Sequence, residues 1–229
     1  MCGIFGSTNF ERFKTLYQIN KDRGSFAYGS MYTYKESRPL VQKSAIGEVL
    51  SEHVEGEQPT FYFGHTQGPT SSKRDFDPET SHPFKYLSWS IAHNGVLSNS
   101  KVLAEKYKVD NPVDSAVIPV IIWNKFAELY DPDVWVWERE QRAIKLACEE
   151  LEGTFSCWIH NNDSNNVYLV RCGSTLFAGE REFSSAQAEG MYPLDDGGIY
   201  RLFHNADPGQ SEWLRKVNEF DTKSPFFIL

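Results

Sequence analysis

The sequence lacks several features that would assign it to a specialised class of protein. None of its apolar runs approaches the roughly 20 residues of a membrane-spanning helix. Glu11, Arg12 and Lys14 interrupt any hydrophobic segment of a signal peptide. There is no internal repeat and no low-complexity linker. Basic residues are also in deficit, 23 against 31 acidic ones, and the net charge of -8 argues against a non-specific nucleic-acid or anionic-membrane surface.

Cysteine is scarce, and its spacing excludes two common kinds of site. The four cysteines form neither a Cys-x-x-Cys pair nor a metal-ligand pattern. A reduced, cytoplasmic protein is the simplest interpretation. Cys148 falls on the apolar face of a predicted helix, while Cys157 and Cys172 fall in predicted strands, so all three are expected in the core. Cys2 directly follows the initiator methionine.

Hydrophobic periodicity predicts an α+β protein of one large or two small domains. Strands are expected at 2–8, 27–34, 60–66, 85–95, 154–160, 166–172, 174–179, 182–186 and 198–203, and helices at 99–109, 114–130 and 133–153. Ser98 or Asn99 is expected to cap the first helix, Asp114 to cap the second and Gly153 to end the third. The order strands, helices, strands suggests helices packed on mainly antiparallel sheets.

The segment MCGIFG (1–6) raises the question of what Cys2 does. Removal of Met1 would leave one residue carrying both a thiol and an α-amine. That amine has an unperturbed pKa of about 8, so it can accept the thiol proton without a histidine. Gly3 and Gly6 allow the backbone to approach a substrate or a neighbouring strand closely. The alternative is that Cys2 is simply a small residue of the first strand.

Two further motifs each have a functional and an ordinary interpretation. In HNG (93–95) the Asn94 side-chain amide and the Gly95 N–H could stabilise an oxyanion, or the pair could form a turn, for which Asn-Gly is a strong signal. In VDSAVI (113–118) Asp114 could bind a ligand ammonium group, or act only as a helix cap.

The segments DRGSFAYG (22–29) and GHTQGPTSS (64–72) allow the same two kinds of interpretation. Arg23 could hold a carboxylate or a chain terminus, or could be a surface arginine before a glycine turn. The second segment runs from a strand into a loop rich in glycine and hydroxyl groups. Such a loop could close over a ligand, or could be an ordinary hairpin loop.

Taken together and in this order, the segments resemble the class II glutamine amidotransferases, whose glutaminase domains use an N-terminal nucleophile. The resemblance is carried by MCGIFG, RGSFAYG, GHTQGPTS, SHPFKYLSWSIAHNGVLSN, VDSAVI and LEGTFSCWI. It is greatest to the glutaminase domain of the glucosamine-6-phosphate synthase type. It covers about residues 2–203 and leaves 204–229 as a C-terminal tail. It implies an α+β fold of the Ntn-hydrolase type, an αββα sandwich of two mainly antiparallel sheets.

The resemblance also implies a reaction and a set of site residues. Cys2 would attack the side-chain amide of glutamine with its own amine as base, forming a γ-glutamyl thioester and releasing ammonia, after which water would release glutamate. Asn94 and the N–H of Gly95 would form the oxyanion hole, and Arg23 would support the nucleophile. The substrate would be bound by Asp114 through its α-amine, and by Thr70, Ser71 and Gln67 of the closing loop. The resemblance implies no metal or organic cofactor for this half-reaction.

The sequence departs from the family pattern in the loop. Gln67 and Gly68 stand where the family has an arginine and a bulky residue, and Phe26 stands where it usually has an acidic one. The family arginine grips the substrate α-carboxylate with a charged, bidentate fork that glutamine lacks. Losing such a bond weakens binding about ten- to a hundredfold, unless Lys73 or Arg74 substitutes. Two alternatives therefore stay open: an Ntn amidohydrolase acting on another amide, and a binding or regulatory module with little turnover.

Family members usually carry a synthase domain that consumes the ammonia, and the short segment after about residue 203 leads us to expect none in this sequence. A separate acceptor enzyme is therefore the expected partner, with no nucleic acid and no membrane. DPDVWVWERE (131–140) and SPFFIL (224–229) are candidate interface patches, although packing of these aromatic residues on the protein's own core is the favoured interpretation.

Overall fold

The computed structural model describes residues 2–45, 57–68, 75–203 and 213–222. The chain divides into two compact units. The first comprises Met1–Pro83, Thr175–Leu194 and Phe203–Trp213, and the second Phe84–Ser174, Asp195–Leu202 and Leu214–Leu229. Within the described ranges, no helix is both long and apolar enough to cross a lipid bilayer.

The first unit is built on an antiparallel sheet of seven strands. These are β1 (Gly3–Ser7), β2 (Ala27–Thr33), β3 (Leu40–Ala45), β4 (Phe61–Gln67), β9 (Phe177–Gly179), β10 (Glu182–Ser184) and β11 (Tyr192–Pro193), in the order β11-β9-β10-β1-β4-β2-β3. Helix α1 (Phe10–Lys21) begins after Asn9, whose side chain accepts from the Arg12 N–H at 2.9 Å. Its buried residues are Phe13, Leu16, Tyr17 and Asn20, a spacing of three and four that presents one face to β1 and β4.

The second unit contains an antiparallel sheet of six strands and three helices. The strands are β5 (Phe84–Tyr86), β6 (Trp89–Leu97), β7 (Gly153–Asn161), β8 (Asn166–Cys172), β12 (Gly198–Leu202) and β13 (Leu214–Glu219), in the order β13-β12-β8-β7-β6-β5. The helices are α2 (Ser100–Tyr107), α3 (Val117–Glu128) and α4 (Val136–Glu150). Helix α4 buries one apolar stripe, which includes Ala143, Ile144 and Ala147.

The α+β class with two antiparallel sheets is confirmed. The structure adds elements that the sequence analysis did not predict: α1, the edge strands β3 and β11, and β13, which lies inside the predicted tail. The predicted strand at 85–95 is a hairpin, in which a turn at Leu87 and Ser88 separates β5 from β6.

Two predicted helix boundaries are wrong. Helix α4 ends at Glu150 with Leu151 as its C-cap, and Gly153 begins β7 instead. The predicted cap Asp114 lies inside a 3₁₀ turn, Asp114–Ala116, that leads into α3, and the residue preceding that turn is Val113. The carboxylate of Asp114 does not cap the helix and instead accepts hydrogen bonds from Leu97 and Ser115.

Candidate functional site

The candidate residues fall into two groups, one in each unit, and each group is described separately. In the first unit, Cys2 immediately precedes β1, which pairs with β10 on one side and β4 on the other. A Cβ on Gly3 would lie 2.7 Å from Asn20 Oδ1 and 2.9 Å from Thr66 Oγ1. The chain beside Cys2 is thus pressed against side chains of α1 and β4, and only glycine permits this approach. The partly buried Cys2 is fixed from its C-terminal side.

Arg23 is held next to Cys2 by the way α1 ends. The Arg23 N–H donates to the Asn20 carbonyl at 3.0 Å, and a Cβ on Gly24 would lie 2.5 Å from the Thr66 carbonyl oxygen. From this tight turn the Arg23 Nε donates to the Cys2 carbonyl oxygen at 3.1 Å. Burial lowers the pKa of Arg23, and Cys2 opposes that effect. Arg23 therefore contacts the main chain of the predicted nucleophile, as its supporting role requires; the role itself stays a prediction.

Gln67, which stands in place of the family arginine, ends β4 and is only 2% exposed. Its Nε2 donates to the Thr80 carbonyl at 3.4 Å, whereas its buried Oε1 accepts no hydrogen bond from the described residues. An unsatisfied buried acceptor costs about 1–3 kcal/mol. Thr70 and Ser71 lie outside the described residues, as do the two candidate substitutes, Lys73 and Arg74.

In the second unit, Asn94 and Gly95 lie within β6 opposite Ser156 and Phe155 of β7, so the turn interpretation is wrong. The buried Asn94 Nδ2 donates to Ser174 Oγ at 2.9 Å and, at the long limit of 3.5 Å, to Ser156 Oγ. Gly95 has a φ of 150°, and a Cβ there would collide with the Thr154 carbonyl oxygen. This backbone position therefore requires glycine.

Asp114 connects the 3₁₀ turn to the end of β6. Its Oδ2 accepts from the Leu97 N–H at 2.9 Å, and its Oδ1 accepts from the Ser115 hydroxyl at 3.2 Å. Asp114 also lines a cavity of about 260 Å³, the wall of which includes Lys101 of α2 and Asn111. Asp114 thus lies in the wall of a cavity, a position that a helix cap would not need.

Sequence analysis missed two neighbours of Asp114, although both lie within the quoted motifs. The His93 Nδ1 is 2.8 Å from Ser115 Oγ, and both side chains are buried. Burial lowers the pKa of His93, while Asp114 and the Thr154 backbone oppose the shift. The signal that could have found them is their position, because each directly precedes or follows a candidate site residue.

The remaining cysteines behave as predicted. Cys148, Cys157 and Cys172 are buried thiols that take part in no disulfide among the described residues, whereas Cys2 is partly exposed. Burial raises the pKa of Cys148 and of Cys157, which makes their thiols poor nucleophiles. In the part of the chain that the structure describes, no group of three or more His, Cys, Asp or Glu side chains is arranged to hold a metal ion.

No family model matches the sequence. Among curated proteins, the chain is 25% identical to 7-cyano-7-deazaguanine synthase 2 of Sulfurisphaera tokodaii over 97% of its length, covering 52% of that protein. It is 28% identical to the isomerizing glutamine–fructose-6-phosphate aminotransferase of Listeria monocytogenes over 86% of its length, covering 33% of that protein. The chain thus spans about half and about a third of these relatives.

Among solved structures, the chain superimposes on glutamine phosphoribosylpyrophosphate amidotransferase from B. subtilis with a TM-score of 0.66 at 15% identity, covering 95% of this chain and 49% of that one. A predicted glutamine amidotransferase from Pseudomonas aeruginosa gives a TM-score of 0.52 at 15% identity, covering 89% and 94% respectively. These likenesses show the Ntn-hydrolase fold, and with the curated relatives they confirm the resemblance to class II glutamine amidotransferases.

Proposed function

We propose that this chain hydrolyses the side-chain amide of glutamine through Cys2 and supplies the ammonia to a separate acceptor enzyme. The observation that carries the proposal is the placement of Asn94 and Gly95. Gly95 has a backbone conformation that favours glycine, and the side-chain amide of Asn94 donates a hydrogen bond to Ser174. Both residues are thereby fixed in the middle of β6. An ordinary turn requires neither feature. The curated relatives and the fold support the same reaction class.

In the proposed reaction, removal of Met1 exposes the α-amine of Cys2. The amine takes the thiol proton, and the thiolate sulfur adds to the amide carbon. The C–N bond then breaks, and nitrogen leaves as ammonia with the proton returned by the amine. Water hydrolyses the resulting thioester, which gives glutamate and restores the thiol. The Arg23–Cys2 hydrogen bond supports this role because it fixes the main chain of the nucleophile.

The oxyanion is proposed to be stabilised by the Asn94 Nδ2 and the Gly95 N–H. Ser174, at 2.9 Å, holds one Nδ2 hydrogen and so orients the amide, while the longer Ser156 contact can give way to a substrate oxygen. Preorganised donors of this kind contribute about 10²–10³ each in rate.

For substrate recognition we propose that Asp114 binds the α-ammonium group and that Thr70 and Ser71 of the closing loop also bind the substrate. The α-carboxylate needs a cation, because Gln67 is neutral. Among the described residues Lys101 suits this task, since it lines the same cavity as Asp114. This arrangement would match both charges of an α-amino acid.

A separate acceptor is supported by two observations. One solved chain of similar length, a predicted glutamine amidotransferase from Pseudomonas aeruginosa, is covered to 94% by this one. The predicted core packing of the patch at 131–140 is wrong for Trp135, which is 72% exposed. An exposed tryptophan is a common anchor of protein interfaces. The patch at 224–229 lies outside the described residues. A cytoplasmic location is proposed as well, since the cysteines of the described residues form no disulfide.

One observation favours a second candidate, hydrolysis of an amide other than glutamine. Gln67 offers a buried, unsatisfied carbonyl oxygen where a glutamine-binding cation is expected. A neutral residue at this position would suit an amide substrate that carries no α-carboxylate.

The test is ammonia release from glutamine and from a panel of other primary amides, measured on protein whose loss of Met1 has been verified by mass. Cys2→Ala is the variant, and Cys148→Ala, which removes a buried thiol, is the matched control. We expect release by the wild type and by Cys148→Ala but not by Cys2→Ala. Release only from another amide would support the second candidate. No release from any amide would contradict both and favour a binding module.

A further inference from the structure

Three side chains of the second unit form a hydrogen-bonded chain that ends at the proposed substrate site. His93 Nδ1 lies 2.8 Å from Ser115 Oγ, and the Ser115 hydroxyl donates to Asp114 Oδ1 at 3.2 Å. His93 and Ser115 are each 1% exposed, whereas Asp114 borders the cavity. This hydrogen-bonded chain therefore runs from two buried side chains to a residue that lines the cavity.

The number of available hydrogens determines which group donates in each hydrogen bond of this series. Ser115 has one hydroxyl hydrogen, and it is donated to Asp114. Ser115 must then accept from His93, which requires the imidazole to carry its proton on Nδ1. The neighbouring titratable group across the strand pair is the buried thiol of Cys157, opposite His93 in β7. All donors of the chain consequently point toward the Asp114 carboxylate.

We propose that His93 and Ser115 are positioning residues that hold the Asp114 carboxylate in place for the ammonium group of an α-amino acid substrate. This inference rests on the proposed function. Both carboxylate oxygens are anchored, one by Ser115 and one by the Leu97 N–H. A carboxylate has about four acceptor sites, so the anchored group can still accept from an ammonium. Without Ser115 the carboxylate keeps one anchor and can rotate away from the cavity.

The experiment compares two substrates in wild-type protein, Ser115→Ala and Ser115→Thr. Glutamine carries the α-ammonium, and glutaramate is the same amide without the α-amino group. For Ser115→Ala we expect the KM for glutamine to rise about ten- to a hundredfold, the range for losing a hydrogen bond to a charged group, while kcat and the KM for glutaramate stay within about twofold. Ser115→Thr retains the hydroxyl and should restore the wild-type KM.

A second pair of variants keeps the inference testable if Ser115→Ala does not fold. His93→Asn keeps an N–H donor near the position of Nδ1, and His93→Leu removes it. We expect His93→Leu to raise the KM for glutamine selectively and His93→Asn to do so by a smaller factor. Thermal unfolding of each variant is measured alongside.

Each outcome bears on the inference. An equal rise in KM for both substrates, or a loss of kcat alone, would show that the chain has only a structural role. An unchanged KM for glutamine in both Ser115→Ala and His93→Leu would overturn the inference and leave the proposed function intact. If the wild type releases no more ammonia from glutamine than Cys2→Ala, the proposed function fails and the inference fails with it.

Discussion

Glu140 of α4 allows the most detailed prediction, because its carboxylate is completely buried and accepts four hydrogen bonds. Oε1 accepts from Asn161 Nδ2 and Ser164 Oγ, both at 2.6 Å. Oε2 accepts from Asn166 Nδ2 at 2.6 Å and from the Tyr168 hydroxyl at 2.8 Å. Burial and Glu140 itself raise the pKa of Tyr168, which therefore stays a donor. The carboxylate ties α4 to the β7–β8 hairpin, and β7 is the strand that pairs with Asn94 and Gly95.

The substitution Glu140→Gln preserves shape but cannot preserve this pattern. Each carboxylate oxygen faces one asparagine NH₂ group, so either orientation of the new amide sets its own NH₂ against Asn161 or Asn166. At least two charge-assisted bonds are lost, at about 1.5–3 kcal/mol each. The free energy of unfolding should therefore fall by at least about 3 kcal/mol. For a protein of this size that corresponds to a drop in Tm of roughly 6–12 °C.

The assay is thermal and denaturant unfolding at neutral pH, with Glu138→Gln as the matched control on the same helix. Glu138 is only half-buried, and its substitution should change the free energy of unfolding by no more than about 0.5 kcal/mol. A Tm for Glu140→Gln equal to that of the control would refute the reasoning, because it would mean that the carboxylate does not hold the hairpin in solution.

Three further predictions concern the proposed site. Gly95→Ala should abolish ammonia release, because its Cβ would collide with the neighbouring strand; an active variant would contradict the observed backbone. Arg23→Gln should lower kcat for glutamine about tenfold, since it removes the charged donor to the Cys2 carbonyl; an unchanged kcat would leave Arg23 with no supporting role. Lys101→Met should raise the KM for glutamine about tenfold, whereas Lys108→Met, on the C-cap of the same helix, should not. Equal KM values in the two lysine variants would exclude Lys101 as the carboxylate-binding cation.

The sequence predicts those elements whose own residues determine them. The strand expected at 166–172 is β8 with the same bounds, because its run of β-branched and aromatic residues between turn residues is a local signal. Strands β3 and β13 were missed because both lie at the edge of a sheet, where polar and charged residues interrupt the apolar pattern and backbone pairing defines the strand. Helix α1 was missed although its buried residues have helical spacing, since its aromatic residues also favour strands.

In the candidate site, contacts with residues distant in sequence override the structures that the local sequence favours. Asn-Gly favours a turn, but the ladder along the whole of β6 keeps Asn94 and Gly95 extended. Aspartate is a common helix-capping residue, yet the carboxylate of Asp114 accepts from the Leu97 N–H, 17 residues away in sequence. The contact from Arg23 to the Cys2 carbonyl depends equally on how α1 ends. None of these partners can be read from neighbouring residues.

The central claim is that Cys2 becomes the N-terminal residue and acts as the nucleophile. The most direct measurement is covalent labelling with a glutamine analogue that carries an electrophilic ketone in place of the amide, followed by intact mass and peptide mapping. The account predicts a mature chain without Met1 and a single adduct, on Cys2, that excess glutamine suppresses. The buried Cys148, Cys157 and Cys172 should remain unlabelled. Retention of Met1 in active protein, or an adduct on another residue with Cys2 unmodified, would contradict the claim.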